Sequence, residues 1–108
     1  MNESSAAAAF VRVAGVEEIP ANKGKAVRVN DRAIVIFRVQ KQFVAVLDRC
    51  PHAGAPLSIG ALRDGEVTCA WHGWVFNVLD GTSVPDAPGF ALTFVPLKVE
   101  GTDIFVAA

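Results

Sequence analysis

Every cysteine and every histidine of the chain falls in one of two short stretches, Cys50-Pro51-His52 and Cys69-Ala70-Trp71-His72. With 2 Cys, 2 His and no Tyr, any metal site, nucleophile or general base built from these types draws on the same four side chains. The pattern is C-x-H-x16-C-x-x-H. Thiolates are soft, strong donors for iron and zinc and imidazoles are neutral donors, so each stretch brings one of each. Neither can complete a coordination shell alone. A single cysteine is most often a small hydrophobe and a single histidine an ordinary core or surface residue. That reading cannot explain why all four gather in two places.

Two metal chemistries remain open from the residues themselves. Tetrahedral zinc accepts two Cys and two His, and a zinc-stabilised interaction module would use them for structure only, but common zinc spacings pair like with like along the chain. A [2Fe–2S] centre with two Cys on one iron and two His on the other takes one Cys and one His from each stretch. A Cys/His hydrolase is disfavoured, because neither pair is accompanied by an acidic orienter at a telling spacing.

The elements that must position these residues are strands. Short apolar runs rich in Val, Ile and Phe end at turn formers and do not recur with a 3.6-residue period, so the fold class is all-β. The expected strands are Phe10–Ala14, Ala26–Val29, Ala33–Val39, Gln42–Leu47, Glu66–Ala70, Trp74–Val78, Leu92–Val99 and Ile104–Val106. Turns fall at Asn30-Asp31, Gln40-Lys41, Asp64-Gly65, Asp80-Gly81 and Glu100-Gly101. Val16–Ile19, ahead of Pro20, reads as a single helical turn, and nothing else invites a helix. The stretches Cys50–Leu62 and Ala70–Gly73 interrupt the strand rhythm and carry or adjoin the four candidate ligands, and Pro85–Gly89 forms a further loop.

Length and charge bound the rest. The 108 residues make one domain, expected over 10–108 behind a flexible leader at 1–9 that is small and low in complexity. With 52% hydrophobic and 19% charged residues the chain is too apolar to be disordered, and it lacks the roughly 20-residue apolar run of a membrane span. A net charge of −1 argues against sequence-independent binding to nucleic acid or an anionic membrane. The first residues lack a signal peptide's basic region and apolar run, which places the protein in the reducing cytoplasm.

The loops Cys50-Pro51-His52-Ala53-Gly54-Ala55-Pro56-Leu57-Ser58 and Cys69-Ala70-Trp71-His72-Gly73-Trp74 resemble the cluster-binding loops of Rieske proteins. The likeness continues through Phe76 and the Asp80-Gly81 turn to Pro85. It implies a stack of small antiparallel sheets with one [2Fe–2S] cluster at a two-loop tip. By that resemblance Cys50 and Cys69 bind the inner iron, and His52 and His72 bind the outer one through Nδ1. Pro51, Pro56, Trp71 and Trp74 would form an apolar collar, and Arg49 and Arg63 are the nearby cations that could steer a partner. Asn77 stands where the family often has Asp, a change expected to affect surface charge only.

The same resemblance separates branches of the family. The respiratory branch braces its two loops with a disulfide, and the matching positions here are Ala55 and Trp71. That branch also offers Ser and Tyr hydroxyls to the cluster sulfurs; Trp74 occupies the Ser position, and there is no Tyr. Ser58 or a backbone N–H could substitute in part. Fewer donors favour the low end of the range of about −150 to +300 mV. Both His are committed to the cluster, so none is left for a catalytic iron of the oxygenase branch. The chain then resembles the ferredoxins that carry single electrons from a reductase to a terminal oxygenase. The alternative within the fold is the small subunit of an assimilatory nitrite reductase, whose partner is the large subunit, suggested by Ile36-Phe37-Arg38-Val39.

Overall fold

The computed structural model describes residues 9–52, 54–71, 73–85, 87 and 89–107. His72, Asp86, Pro88 and all of the expected leader except Ala9 lie outside the described residues.

Four consecutive buried residues decide how the sheets stack. In β3 (Arg32–Val39), Ile34, Val35, Ile36 and Phe37 are all fully buried, so both faces of this strand are covered. Because successive side chains point to opposite faces, Ile34 and Ile36 enter one core with Ala14, Ile19, Ile104 and Val106. Val35 and Phe37 enter a second core with Leu57, Val67, Phe76 and both cysteines. The sheet containing β3 is therefore the middle layer. It runs β9 (Phe94–Val95), β4 (Gln42–Leu47), β3, β2 (Lys25–Val29), all antiparallel.

Against one face lies the sheet of β10 (Leu97–Glu100), β11 (Asp103–Val106) and β1 (Val11–Gly15). Against the other lies β5 (Leu62–Arg63), β6 (Glu66–Thr68), β7 (Val75–Asn77) and β8 (Ser83–Val84). This third sheet carries the second candidate loop, and β4 leads into the first. The expected stack of small antiparallel sheets is what the chain forms.

The turn chemistry agrees with the backbone. Asn30-Asp31 and Asp64-Gly65 have positive φ at both residues, at 52° and 66° and at 52° and 78°, as a tight hairpin of right-twisted strands requires. The helical turn at Val16–Glu18 is a 3-10 turn, stopped before Pro20, with the Gly15 amide donating to the Glu18 carboxylate at 2.8 Å.

Three expectations are corrected. Leu92–Val99 is not one strand: Pro96, which has no N–H for a ladder, divides Phe94–Val95 in the middle sheet from Leu97–Glu100 in the outer one. A second 3-10 turn, Leu57–Ile59, follows Pro56 and places the fully buried Leu57 in the core beside the cysteines. The strands flanking the second loop end earlier than their apolar runs suggest, at Thr68 and from Val75; the Cys69 amide still bonds to the Trp74 carbonyl, and beyond that pair the chain turns, with the Gly73 amide donating back to the Cys69 carbonyl. No helix among the described residues is long and apolar enough to cross a membrane.

Candidate metal centre

The two loops are built on the same backbone frame. In the first, the Cys50 amide donates to the Ala55 carbonyl at 2.7 Å and the Gly54 amide donates to the Cys50 carbonyl at 2.8 Å. In the second, the Cys69 amide donates to the Trp74 carbonyl at 2.6 Å and the Gly73 amide to the Cys69 carbonyl at 3.0 Å. Each cysteine thus opens a loop that closes on the residue five positions later, through a glycine four positions later. Gly54 and Gly73 have φ of 76° and 72°, and among the described residues nothing lies within 4 Å of where a Cβ would stand. They are glycines for their backbone angle, not for lack of space. The repeated interval Cys-x-x-x-Gly is the signal in the sequence that marks this shared frame.

Both cysteines are buried, at 0% and 1% exposure, in the core that Val35, Phe37, Val67 and Phe76 fill. His52 is exposed at the protein surface. Its ring stacks on the indole of Trp74 with centroids 4.1 Å apart and planes within 9°, so a side chain of the first loop rests on one from the second. Phe90 meets Trp74 edge-on at 5.2 Å and His52 at 6.1 Å. Beneath, Trp74 lies 6.3 Å from the fully buried Phe76.

The expected collar divides. Pro51 and Trp74 are half-buried, whereas Pro56 is exposed and Trp71 is 60% exposed at the turn of its loop. Trp74 turns inward because it sits where its loop rejoins β7, and Trp71 lies at the loop's apex. Phe90 completes the collar and was not anticipated. It arrives on a third loop that Ser83 anchors. The buried Ser83 hydroxyl donates to the Pro85 carbonyl at 2.9 Å and accepts the Ala87 amide at 2.6 Å, around a cis Val84–Pro85 bond. Ala55 is fully buried, its methyl packed in the core beside the cysteines. Arg49 and Arg63 are exposed.

Two polar groups do other work than expected. Ser58 donates through both its amide and its hydroxyl to the Asp48 carboxylate, each at 2.7 Å. A hydroxyl has one proton to donate, so Ser58 offers none to a sulfur. Asn77 does more than remove a surface charge: its side-chain oxygen accepts the Leu79 and Asp80 amides at 2.8 and 3.3 Å and forms the turn after β7. In the same turn Asp80 accepts the Thr82 amide and hydroxyl, at 2.9 and 2.7 Å, and these bonds hold its pKa below the ordinary 3.8.

The donor chemistry fits an iron–sulfur cluster. Two buried thiols in one core could hold an iron away from water, and the imidazole at the surface could hold a second, with rigid loops on either side. When bound, a [2Fe–2S] cluster takes up and releases one electron.

Comparison with known proteins agrees with this geometry. The chain belongs to the Rieske [2Fe–2S] domain family, which matches residues 9–103. It is 32% identical over 98 residues to the biphenyl dioxygenase ferredoxin subunit of Pseudomonas sp. (strain KKS102), covering 90% of each chain. It is 34% identical to the 3-phenylpropionate/cinnamic acid dioxygenase ferredoxin subunit of Shigella boydii serotype 4 (strain Sb227), covering 84% of this chain and 86% of that one. Among solved structures, the ferredoxin of carbazole 1,9a-dioxygenase from Nocardioides aromaticivorans IC177 superimposes with a TM-score of 0.80 at 27% identity, over 91% of this chain and 96% of that one. The protein is a one-electron carrier with one [2Fe–2S] cluster.

Proposed function

We propose that this chain passes electrons from a reductase to a terminal oxygenase in the cytoplasm, through a cluster held by Cys50, His52, Cys69 and His72. The observation that carries the reading is the correspondence with a dioxygenase ferredoxin subunit over 90% of each chain. In this reading Cys50 and Cys69 hold the inner iron from within the core, and His52 stands at the surface where a partner can approach. The exposed Trp71 and Pro56 give that partner an apolar contact.

With Ser58 committed to Asp48 and Trp74 at the position of a hydroxyl donor, the cluster's potential lies in the lower part of the Rieske range. In the run Ile36-Phe37-Arg38-Val39 that suggested nitrite reductase, Ile36 and Phe37 are fully buried in β3 and Arg38 and Val39 are half-buried, a pattern that packing in the middle sheet accounts for. A solved structure described as a putative nitrite reductase small subunit is 17% identical, a likeness of fold alone.

The test is anaerobic mixing of the reduced protein with an aromatic-ring dioxygenase, following reoxidation of the cluster by its visible spectrum. Rapid, saturable reoxidation is expected. Reoxidation only by a nitrite reductase large subunit would overturn the reading.

A further inference from the structure

The contact between His52 and Trp74 crosses from one loop to the other. We infer that Trp74 is a positioning residue, which sets the plane of the His52 imidazole and does so through a stack that continues into the core. The inference rests on the reading of His52 as a ligand.

The geometry is specific. A ring-to-ring separation of 4.1 Å with planes 9° apart is close parallel stacking, so rotation of the imidazole about its bond to the chain would drive it into the indole on one side. Trp74 is itself constrained at three points. Its carbonyl accepts the Cys69 amide at 2.6 Å, its ring lies 6.3 Å from that of the fully buried Phe76, and Phe90 packs beside it in a T-shaped contact at 5.2 Å. An exposed histidine ordinarily samples several rotamers; this one leans on a ring that cannot yield without disturbing the core.

The arrangement has a chemical consequence for this chain's own residues. A ligand held in its bound orientation loses less conformational freedom when it coordinates, and the covered face excludes water from one side of the ring. The backbone frames place the two cysteines. Stacking on the indole constrains the plane of the His52 ring, and Phe90 packs beside both rings, 5.2 Å from Trp74 and 6.1 Å from His52.

The experiment is pulsed EPR of the reduced cluster in protein labelled with 15N-histidine, comparing wild type with Trp74→Leu, Trp74→Phe and Phe90→Leu. The proposal expects Trp74→Leu to broaden or shift the coupling of one imidazole nitrogen and leave the other unchanged, and Trp74→Phe, which keeps a flat ring, to restore it. A merely structural role for Trp74 would lower cluster content without selecting one nitrogen. Wild-type couplings at both nitrogens in Trp74→Leu overturn the proposal. Should Trp74→Leu assemble no cluster, Phe90→Leu decides: a selective change at one nitrogen supports the proposal and wild-type couplings at both overturn it. His52→Ala separates the two levels, since retention of both couplings there would remove His52 as a ligand, whereas cluster loss there with unaltered couplings in Trp74→Leu would remove the stacking role alone.

Discussion

The carboxylate of Asp48 holds Ser58 by two hydrogen bonds, to its amide and its hydroxyl, both 2.7 Å long. Asp48 stands two residues before Cys50 and Ser58 three residues after Ala55, so the pair ties the first loop together at its base, outside the frame formed by Cys50, Gly54 and Ala55. Hydrogen bonds to a charged group contribute about 1.5–3 kcal/mol. Asp48→Ala should therefore lower stability by about 1–3 kcal/mol and speed loss of the visible cluster spectrum on heating. Asp48→Asn, which keeps one acceptor, should fall between the two in urea titrations.

The glycines of the two frames should respond alike. At Gly54 and Gly73 an added methyl meets no atom of the described residues within 4 Å, so Ala at either position is expected to cost what a left-handed backbone costs, about 1–2 kcal/mol. Gly60 differs in kind: a Cβ there would stand 2.1 Å from the Thr68 carbonyl oxygen, which immediately precedes Cys69. Gly60→Ala should be the most damaging of the three, and unfolding midpoints of the single variants check the order.

The Asp80 turn makes a prediction about pH. The carboxyl is lowered from 3.8 by the Thr82 amide and hydroxyl. A folded pKa below the unfolded one means that its contribution is complete above the unfolded value and disappears as pH falls through the folded value. The stability difference between wild type and Asp80→Ala should stay constant from about pH 7 to 5 and narrow below about pH 4. A difference that widens on acidification would contradict the assignment.

Hydrogen bonding to sulfur predicts the potential. Trp74→Ser would place a hydroxyl at the resembling position, and donors to sulfur stabilise the reduced state. Protein-film voltammetry should show the wild type in the lower part of the Rieske range and Trp74→Ser above it, provided the variant keeps its cluster. A wild-type potential near the top of the range would contradict the proposed shortage of donors.

The residue types did most to make the site legible. With only two Cys and two His, their clustering points to one centre, and the apolar run Ala33–Val39 reads as a strand, although only the structure shows that both its faces are covered. What stayed hidden has tertiary causes. Phe90 reaches the collar on a loop anchored by Ser83, and no local spacing connects it to Trp74. The two-residue strands Leu62–Arg63 and Ser83–Val84 are too short to show a period, and Pro96 lies inside Leu92–Val99, whose flanking residues otherwise read as one strand. Ser58 looked like a donor to the cluster because nothing in the sequence places Asp48 beside it.

The central claim is that Cys50, His52, Cys69 and His72 together hold a [2Fe–2S] cluster that carries one electron. Its most direct test is metal and sulfide content with EPR of anaerobically purified wild type and of Cys50→Ser, His52→Ala, Cys69→Ser and His72→Ala. The account predicts two irons and two acid-labile sulfides per wild-type chain, one electron taken up on reduction, and two imidazole nitrogens coupled to the reduced cluster. Each substitution should abolish that signal and, because the cluster ties both loops, cost several kcal/mol of stability. Stoichiometric zinc in a colourless wild type, or a full wild-type spectrum in any one of the four variants, would contradict it.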